Sequence, residues 1–343
     1  MKYLKYLVRV LKVIIPLAII AWLLSTIDPE QWRQLRDRPK HWGLLTLAFA
    51  VELGAVCLTF VRWYLLVRAL KIPFTLPDAF RLSFLGFLLN FVSAGSVGGD
   101  LFKAIFIARE QPRFKTEAVA SVIVDRMIGL YALLVVASAA ILFAGAHRSS
   151  PAYEAVTRLT LIATACGGVG VVVLMISSLM KNRRKRRIAN IPYVGESIQR
   201  LISSVGAYRD QTFLMGMVFG MSMAIHSLAS VALFFVARAF FEDAPTLGEQ
   251  LVIVPLSMAA GALPLTPSGL GSFEFAMAEL YRLVPATPSE NASGILVALV
   301  YRLVTIVIAG VGVVYYWTAR AQVQEVLEAA EAAPVAEENN ERR

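Results

Sequence analysis

Histidine and cysteine are almost missing from this chain of 343 residues, which has three of the first and two of the second. Zinc sites are built from clusters of those residue types, and no H-E-x-x-H stretch occurs, so a metal centre is not expected. There is also no G-x-S-x-G elbow and no G-x-x-x-x-G-K-S/T loop. Those absences leave no serine-hydrolase nucleophile and no Walker-type nucleotide site, and no catalytic residue or cofactor is assigned. Cys57 and Cys166 both lie within apolar stretches, which implies no disulfide framework. Long polar stretches are scarce as well. The connector 181–211 and the tail after Trp317 are the longest, and each is shorter than the roughly 50 residues at which soluble domains begin. Whatever this chain does, it is expected to do within or against a bilayer.

What is present is apolar: 57% hydrophobic residues against 17% charged, with a mean hydropathy of +0.65. Several runs reach the about 18 apolar residues that a helical span needs, so the expected fold class is an all-α polytopic membrane protein. Full spans are predicted near 10–27, 43–61, 118–145, 159–180, 212–236 and 292–317. Residues 1–320 read as one transmembrane domain, and 321–343 as a tail that is helical to Pro334 and disordered beyond it. Lys2, Lys5, Arg9 and Lys12 before the first span could mark a signal peptide, but Ser25–Asp28 offers no small-residue cleavage site, so that helix is expected to stay.

The net charge of +9 collects in loops on one face, Lys181–Arg187 above all. By the positive-inside rule this puts both termini in the cytoplasm and the chain in the inner membrane, although the 28–41 loop is more basic than the rule prefers. The same distribution argues against nucleic acid as a partner. Beyond the cluster, Ile198, Leu201, Ile202, Val205 and Tyr208 form an apolar stripe at helical spacing. It reads as a helix lying on the cytoplasmic surface, its neighbouring cluster drawn to anionic lipid heads; the alternative is a plain topology signal.

Two shorter apolar stretches, about 80–110 and 250–283, stop in mid-membrane at turns rich in Gly, Ser and Pro. The first carries Asn90, Gly98, Gly99 and Asp100; the second carries Gly261, Pro264, Thr266, Pro267, Gly269, Gly271 and Glu274. Irregular backbone at that depth leaves polar groups without water, each costing several kcal/mol unless protein or a wet cavity serves it. Paired interrupted segments point to a transporter's binding site. Residues 43–146 run span, hairpin, span, and 212–317 repeat that order after one intervening span, so the two units are expected to be inverted relative to each other.

Each unit also places an arginine inside its last span. Asp100 precedes Arg126 by 26 residues and Glu274 precedes Arg302 by 28. A charge near the bilayer centre costs about 2.5–3.5 kcal/mol on insertion scales, so each arginine needs a partner. Asp125 is next in sequence to Arg126 and points about 100° away on a helix, so it cannot be that partner. Two readings stand. In one, Asp100–Arg126 and Glu274–Arg302 are permanent salt bridges that pin the hairpins. In the other, both arginines converge on an anionic headgroup, most simply a phosphate, whose oxygens suit the guanidinium fork, with helix N-termini at the hairpin turns adding partial positive charge. A proton-coupling role for either acid is the third. Glu52 and His226 lie in corresponding first spans and read as packing residues sooner than proton relays. Gly216 and Gly220 make a helix-contact spacing, and Asn291-Ala292-Ser293 a chance sequon.

The residues Asn90, Gly98-Gly99-Asp100, Asp125-Arg126, Leu263-Pro264, Thr266-Pro267, Gly269, Gly271, Glu274 and Arg302 together resemble the lysylphosphatidylglycerol synthase transmembrane (flippase-like) family. The resemblance spans roughly residues 5–320 and is most specific in the second hairpin. It implies an eight-segment membrane domain that, in some relatives, is fused to an aminoacyl-transferase and moves the product lipid between leaflets; other relatives sit beside polyprenyl-glycan or hopanoid pathways. The 343 residues include no transferase segment, Ser93-Ala94 stands where relatives often place a proline, and Lys103 stands where an arginine is usual. Lysyl-lipid synthesis is therefore not expected, and the headgroup stays open. The expectation is a lipid flippase or lipid-exporting carrier for an anionic phospho- or isoprenoid-linked lipid, with Arg126 and Arg302 as ligands. The alternatives are a membrane-embedded enzyme acting on a lipid headgroup and a non-catalytic partner of a lipid or glycan synthase.

Overall fold

The structure, a computed structural model, describes residues 25, 40–92, 98–143, 150–178, 195–263, 269–286 and 292–318. The predicted first span at 10–27, the basic cluster 181–187, the tail beyond 318 and the sequon Asn291 lie outside the described residues. Everything described is helix and connection, with no strand among the described residues. The helices are α1 (Trp42–Ala69), α2 (Leu76–Val92), α3 (Gly98–Glu110), α4 (Lys115–Phe143), α5 (Pro151–Ser178), α6 (Gly195–Gly206), α7 (Thr212–Phe240), α8 (Leu247–Ala262), α9 (Ser272–Leu283) and α10 (Gly294–Thr318). Five of them, α1, α4, α5, α7 and α10, are long and apolar enough to cross a membrane.

The ends of α1 and α7 fix their relative direction. The backbone N–H of His41, just before α1, donates to the carbonyl of Ala239 near the end of α7 at 3.3 Å. At the other end the Tyr208 hydroxyl, just before α7, donates to the carbonyl of Leu66 at 3.0 Å. The two helices therefore run antiparallel along their whole length. Burial pushes the Tyr208 phenol well above its ordinary range, so it stays protonated as a donor.

Around this central pair the two units correspond element by element. The short helices α2 and α3 pack on each other, as do α8 and α9; α3 packs on α4, as α9 does on α10. The exchange between units is reciprocal too, since α2 lies against α10 and α8 against α4. Such a pattern is what a pseudo-two-fold axis between antiparallel α1 and α7 produces, and it is the inverted arrangement that the sequence implied.

Close approach in each hairpin depends on glycine. A Cβ on Gly99 would sit 1.9 Å from the Gly86 carbonyl oxygen, and one on Gly269 would sit 2.4 Å from that of Gly261. Gly269 and Gly271 also hold φ of +67° and +85°, a left-handed backbone open to glycine at little cost. Thr246 and Glu249 cap α8 reciprocally, with the Thr246 hydroxyl accepting from the Glu249 N–H and the Glu249 carboxylate accepting from the Thr246 N–H at 2.7 Å.

Two expectations change. At Ile202 and Tyr208 the stripe meets protein instead of a lipid surface: α6 packs against α4 and α5, and both residues are buried. The first unit's opening helix also runs on to Ala69, past the predicted end of its span at residue 61, so Arg62 lies inside α1 and is buried.

Candidate functional site

Each hairpin turn brings an acid to the arginine of the following span. Asp100 is the third residue of α3, and its carboxylate accepts from Nε of Arg126 on α4. Its other oxygen lies 3.0 Å from Nζ of Lys103, one turn further along α3, and that ammonium rests 4.8 Å from the centre of the Trp63 ring. In the second unit Glu274 is the third residue of α9. Its Oε1 accepts from Nε and an Nη of Arg302 at 2.9 and 2.7 Å, and its Oε2 accepts the Gly271 N–H at 2.7 Å. Arg302 also lies over the Phe273 ring, 5.5 Å from its centre.

The depth follows from helix geometry. Arg126 is 11 residues beyond Lys115 and Arg302 is 8 beyond Gly294. At 1.5 Å per residue these are about 17 and 12 Å along their helices, well inside a hydrocarbon core of about 30 Å. Both N-termini at this depth are served from within the chain. Asn90 Oδ1 accepts the Gly99 N–H at 3.0 Å, which ties the end of α2 to the start of α3, and Glu274 does the same for Gly271.

The two arginines face one cavity of about 250 Å³ between the units, lined by Glu52, Asn90, Arg126, Phe273, Tyr301 and Arg302 among others. Asp100 and Glu274 stand behind their arginines and are not in its lining. Gly98 opens α3, and Gly99, Gly269 and Gly271 shape the turns. Pro264, Thr266 and Pro267 lie outside the described residues.

Asp125 does not join this site. It forms a bidentate pair with Arg62 on α1, at 2.9 Å to Nε and 3.0 Å to an Nη, and Ser222 on α7 accepts from the remaining Nη at 2.8 Å. The 100° step between neighbouring helix positions explains the division: Arg126 faces the hairpin and Asp125 faces α1. The second unit repeats the plan with different chemistry. Tyr301, the residue before Arg302, also reaches α1, where its hydroxyl donates to Glu52 Oε1 at 2.8 Å. His226 Nε2 donates to the Gly129 carbonyl at 3.0 Å, a packing role like the one expected of it.

Sequence reasoning missed Arg62 and the Tyr301–Glu52 contact. For Arg62 the signal was present: a charge in line with an apolar helix face is read as a loop residue only if the helix is ended too soon. Among the described residues no group of three His, Cys, Asp or Glu could hold a metal ion. The arrangement can hold an anion between two guanidinium groups, each positioned by an acid behind it.

Residues 9–312 match the family model described as "Lysylphosphatidylglycerol synthase TM region". No curated protein and no solved structure matches the chain.

Proposed function

Since the chain belongs to the lysylphosphatidylglycerol synthase transmembrane-region family, of multi-pass membrane proteins linked to lipid metabolism or transport, we propose that it carries an anionic, phosphate-bearing lipid between leaflets of the inner membrane. The observation that supports this reading is the meeting of Arg126 and Arg302, one from each inverted unit, at a single cavity between the units. A site shared by two units can be exposed to one side or the other as they rock, which is the geometry of alternating access. Guanidinium groups bind phosphate oxygens through charge-assisted hydrogen bonds, and the cavity is large enough for a headgroup while the acyl chains stay in the bilayer.

The carrier reading also accounts for Asp100 and Glu274 better than an embedded enzyme with either as its base does. A general base needs a carboxylate within reach of the proton it removes, whereas Asp100 and Glu274 are both committed to cations and lie behind them. In this reading the chain performs no covalent chemistry, and its termini are cytoplasmic. The partners are membrane lipids, with a lipid or glycan synthase as a candidate neighbour.

Native mass spectrometry of the purified protein tests the headgroup. One anionic phospholipid should be retained above its share of the membrane by the wild type and lost from Arg126→Gln. Retained lipids that mirror the membrane in both proteins would leave the arginines as hairpin pins and remove the basis for a carrier.

A further inference from the structure

Among the described residues, Glu52 is the one carboxylate in the lining of the cavity. It is 4% exposed, its Oε1 takes the Tyr301 hydroxyl, and its Oε2 is buried with no hydrogen-bond partner. A buried carboxylate oxygen with nothing to accept is costly, and native structures rarely keep one without use. From this geometry, and resting on the anionic-headgroup reading above, we infer that Glu52 takes up a proton when the anion binds, so that the protein carries one proton with each headgroup.

Charge balance carries the argument. The groups that line or back the cavity are Arg126, Arg302 and Lys103 on one side of the account and Asp100, Glu274 and Glu52 on the other. With Glu52 ionised they sum to zero. A phosphodiester entering between the arginines adds one negative charge in a setting where an uncompensated charge is expensive. Protonation of Glu52 restores neutrality while Arg302 stays on Glu274 and Asp100 keeps Lys103. A charged Oε2 beside the cavity would repel the phosphate; a protonated one does not. Because Tyr301 already donates to Oε1, the proton goes to Oε2, and it comes from water with no bond broken in the lipid.

The surroundings of Glu52 supply no rival for this proton. From α10 the titratable and charged groups are Tyr301 and Arg302, and from α4 Arg126. Helix α2 contributes Phe87 and Asn90, neither of which titrates. On α7, His226 stands near the same level of α1 and spends Nε2 on the Gly129 carbonyl. The Arg62–Asp125 pair is closed on itself.

Dihexanoyl phosphatidylglycerol is a suitable probe because its single phosphodiester does not titrate near neutral pH. Its binding to the purified full chain would be followed by calorimetry in buffers of different ionisation enthalpy, which counts protons taken up. The wild type should take up about one proton per probe, and its affinity should fall about tenfold per pH unit once Glu52 is ionised in the empty protein. Glu52→Gln should bind the probe with no proton uptake and a flat pH profile. Wild-type binding without proton uptake overturns the inference and leaves the carrier reading standing. That count needs no variant, so a failure of Glu52→Gln to fold does not obstruct it. No binding by the wild type, or equal binding by Arg126→Gln, overturns the headgroup reading and this inference with it.

Discussion

In the second hairpin Glu274 is fully buried and gives one oxygen to Arg302 and the other to the Gly271 backbone; in the first, Asp100 divides its oxygens between Arg126 and Lys103. The arginines differ accordingly, with 14% of the Arg302 side chain exposed and 36% of that of Arg126. If Arg302 turned away, it would strand a charge that has no other cation beside it. If Arg126 turned to a ligand, Asp100 would keep Lys103. One half of the site is thus built as an anchor and the other as a contact that can be exchanged for a phosphate. A pair of related ion pairs at the same depth has been given two different tasks by one extra lysine.

The largest effect should come from breaking the anchor. Arg302→Ala leaves the Glu274 charge buried and unpaired, at a cost of about 3–5 kcal/mol, and should appear as a large loss of melting temperature or of folded protein in detergent. Adding Glu274→Gln to it should recover part of that loss, because the stranded charge is then gone. Arg62→Ala exposes the same physics outside the cavity. It strands Asp125 and removes a donor from Ser222, so it should destabilise nearly as much while leaving the lipid contacts untouched.

Gly99→Ala comes next. The obstacle to its methyl group is the Gly86 backbone, which cannot swing aside, and overpacking of that kind costs about 1–3 kcal/mol. Arg126→Gln should cost about 1 kcal/mol or less in stability, given its exposure and the lysine that remains on Asp100, yet abolish retention of anionic lipid. If its melting temperature fell as far as that of Arg302→Ala, the distinction between anchor and contact would be lost. Arg158→Ala, which breaks an exposed pair with Glu154 on α5, is the control at the small end and should stay within about 0.5 kcal/mol of wild type.

Much of this was legible in the sequence, for reasons that can be given. Hydropathy located α1, α4, α5, α7 and α10 because a bilayer demands long apolar helices, and the hairpins declared themselves by glycine where a span should have continued. The pairs Asp100–Arg126 and Glu274–Arg302 followed from the cost of an unpaired arginine at depth. Sequence logic ran out where partners lie on distant helices. Asp125 was grouped with the site residues through the family resemblance, yet its own partner, Arg62, is 63 residues away and Ser222, on that same arginine, lies on a third helix. The α6 stripe was assigned to lipid because an amphipathic face does not say which apolar surface covers it; here it is α4 and α5. Glu52 was visible as an acid within a span, but nothing local named its partner, since 249 residues separate it from Tyr301.

The carrier reading is tested most directly by following a fluorescent tail-labelled lipid across a bilayer. Proteoliposomes containing tail-labelled phosphatidylglycerol would be treated with dithionite, which bleaches the outer leaflet alone. The account predicts bleaching well beyond the outer-leaflet share with the wild type, and bleaching confined to that share with Arg126→Gln at matched protein content. Bleaching confined to the outer leaflet with the wild type, or equal excess bleaching with both, would contradict it.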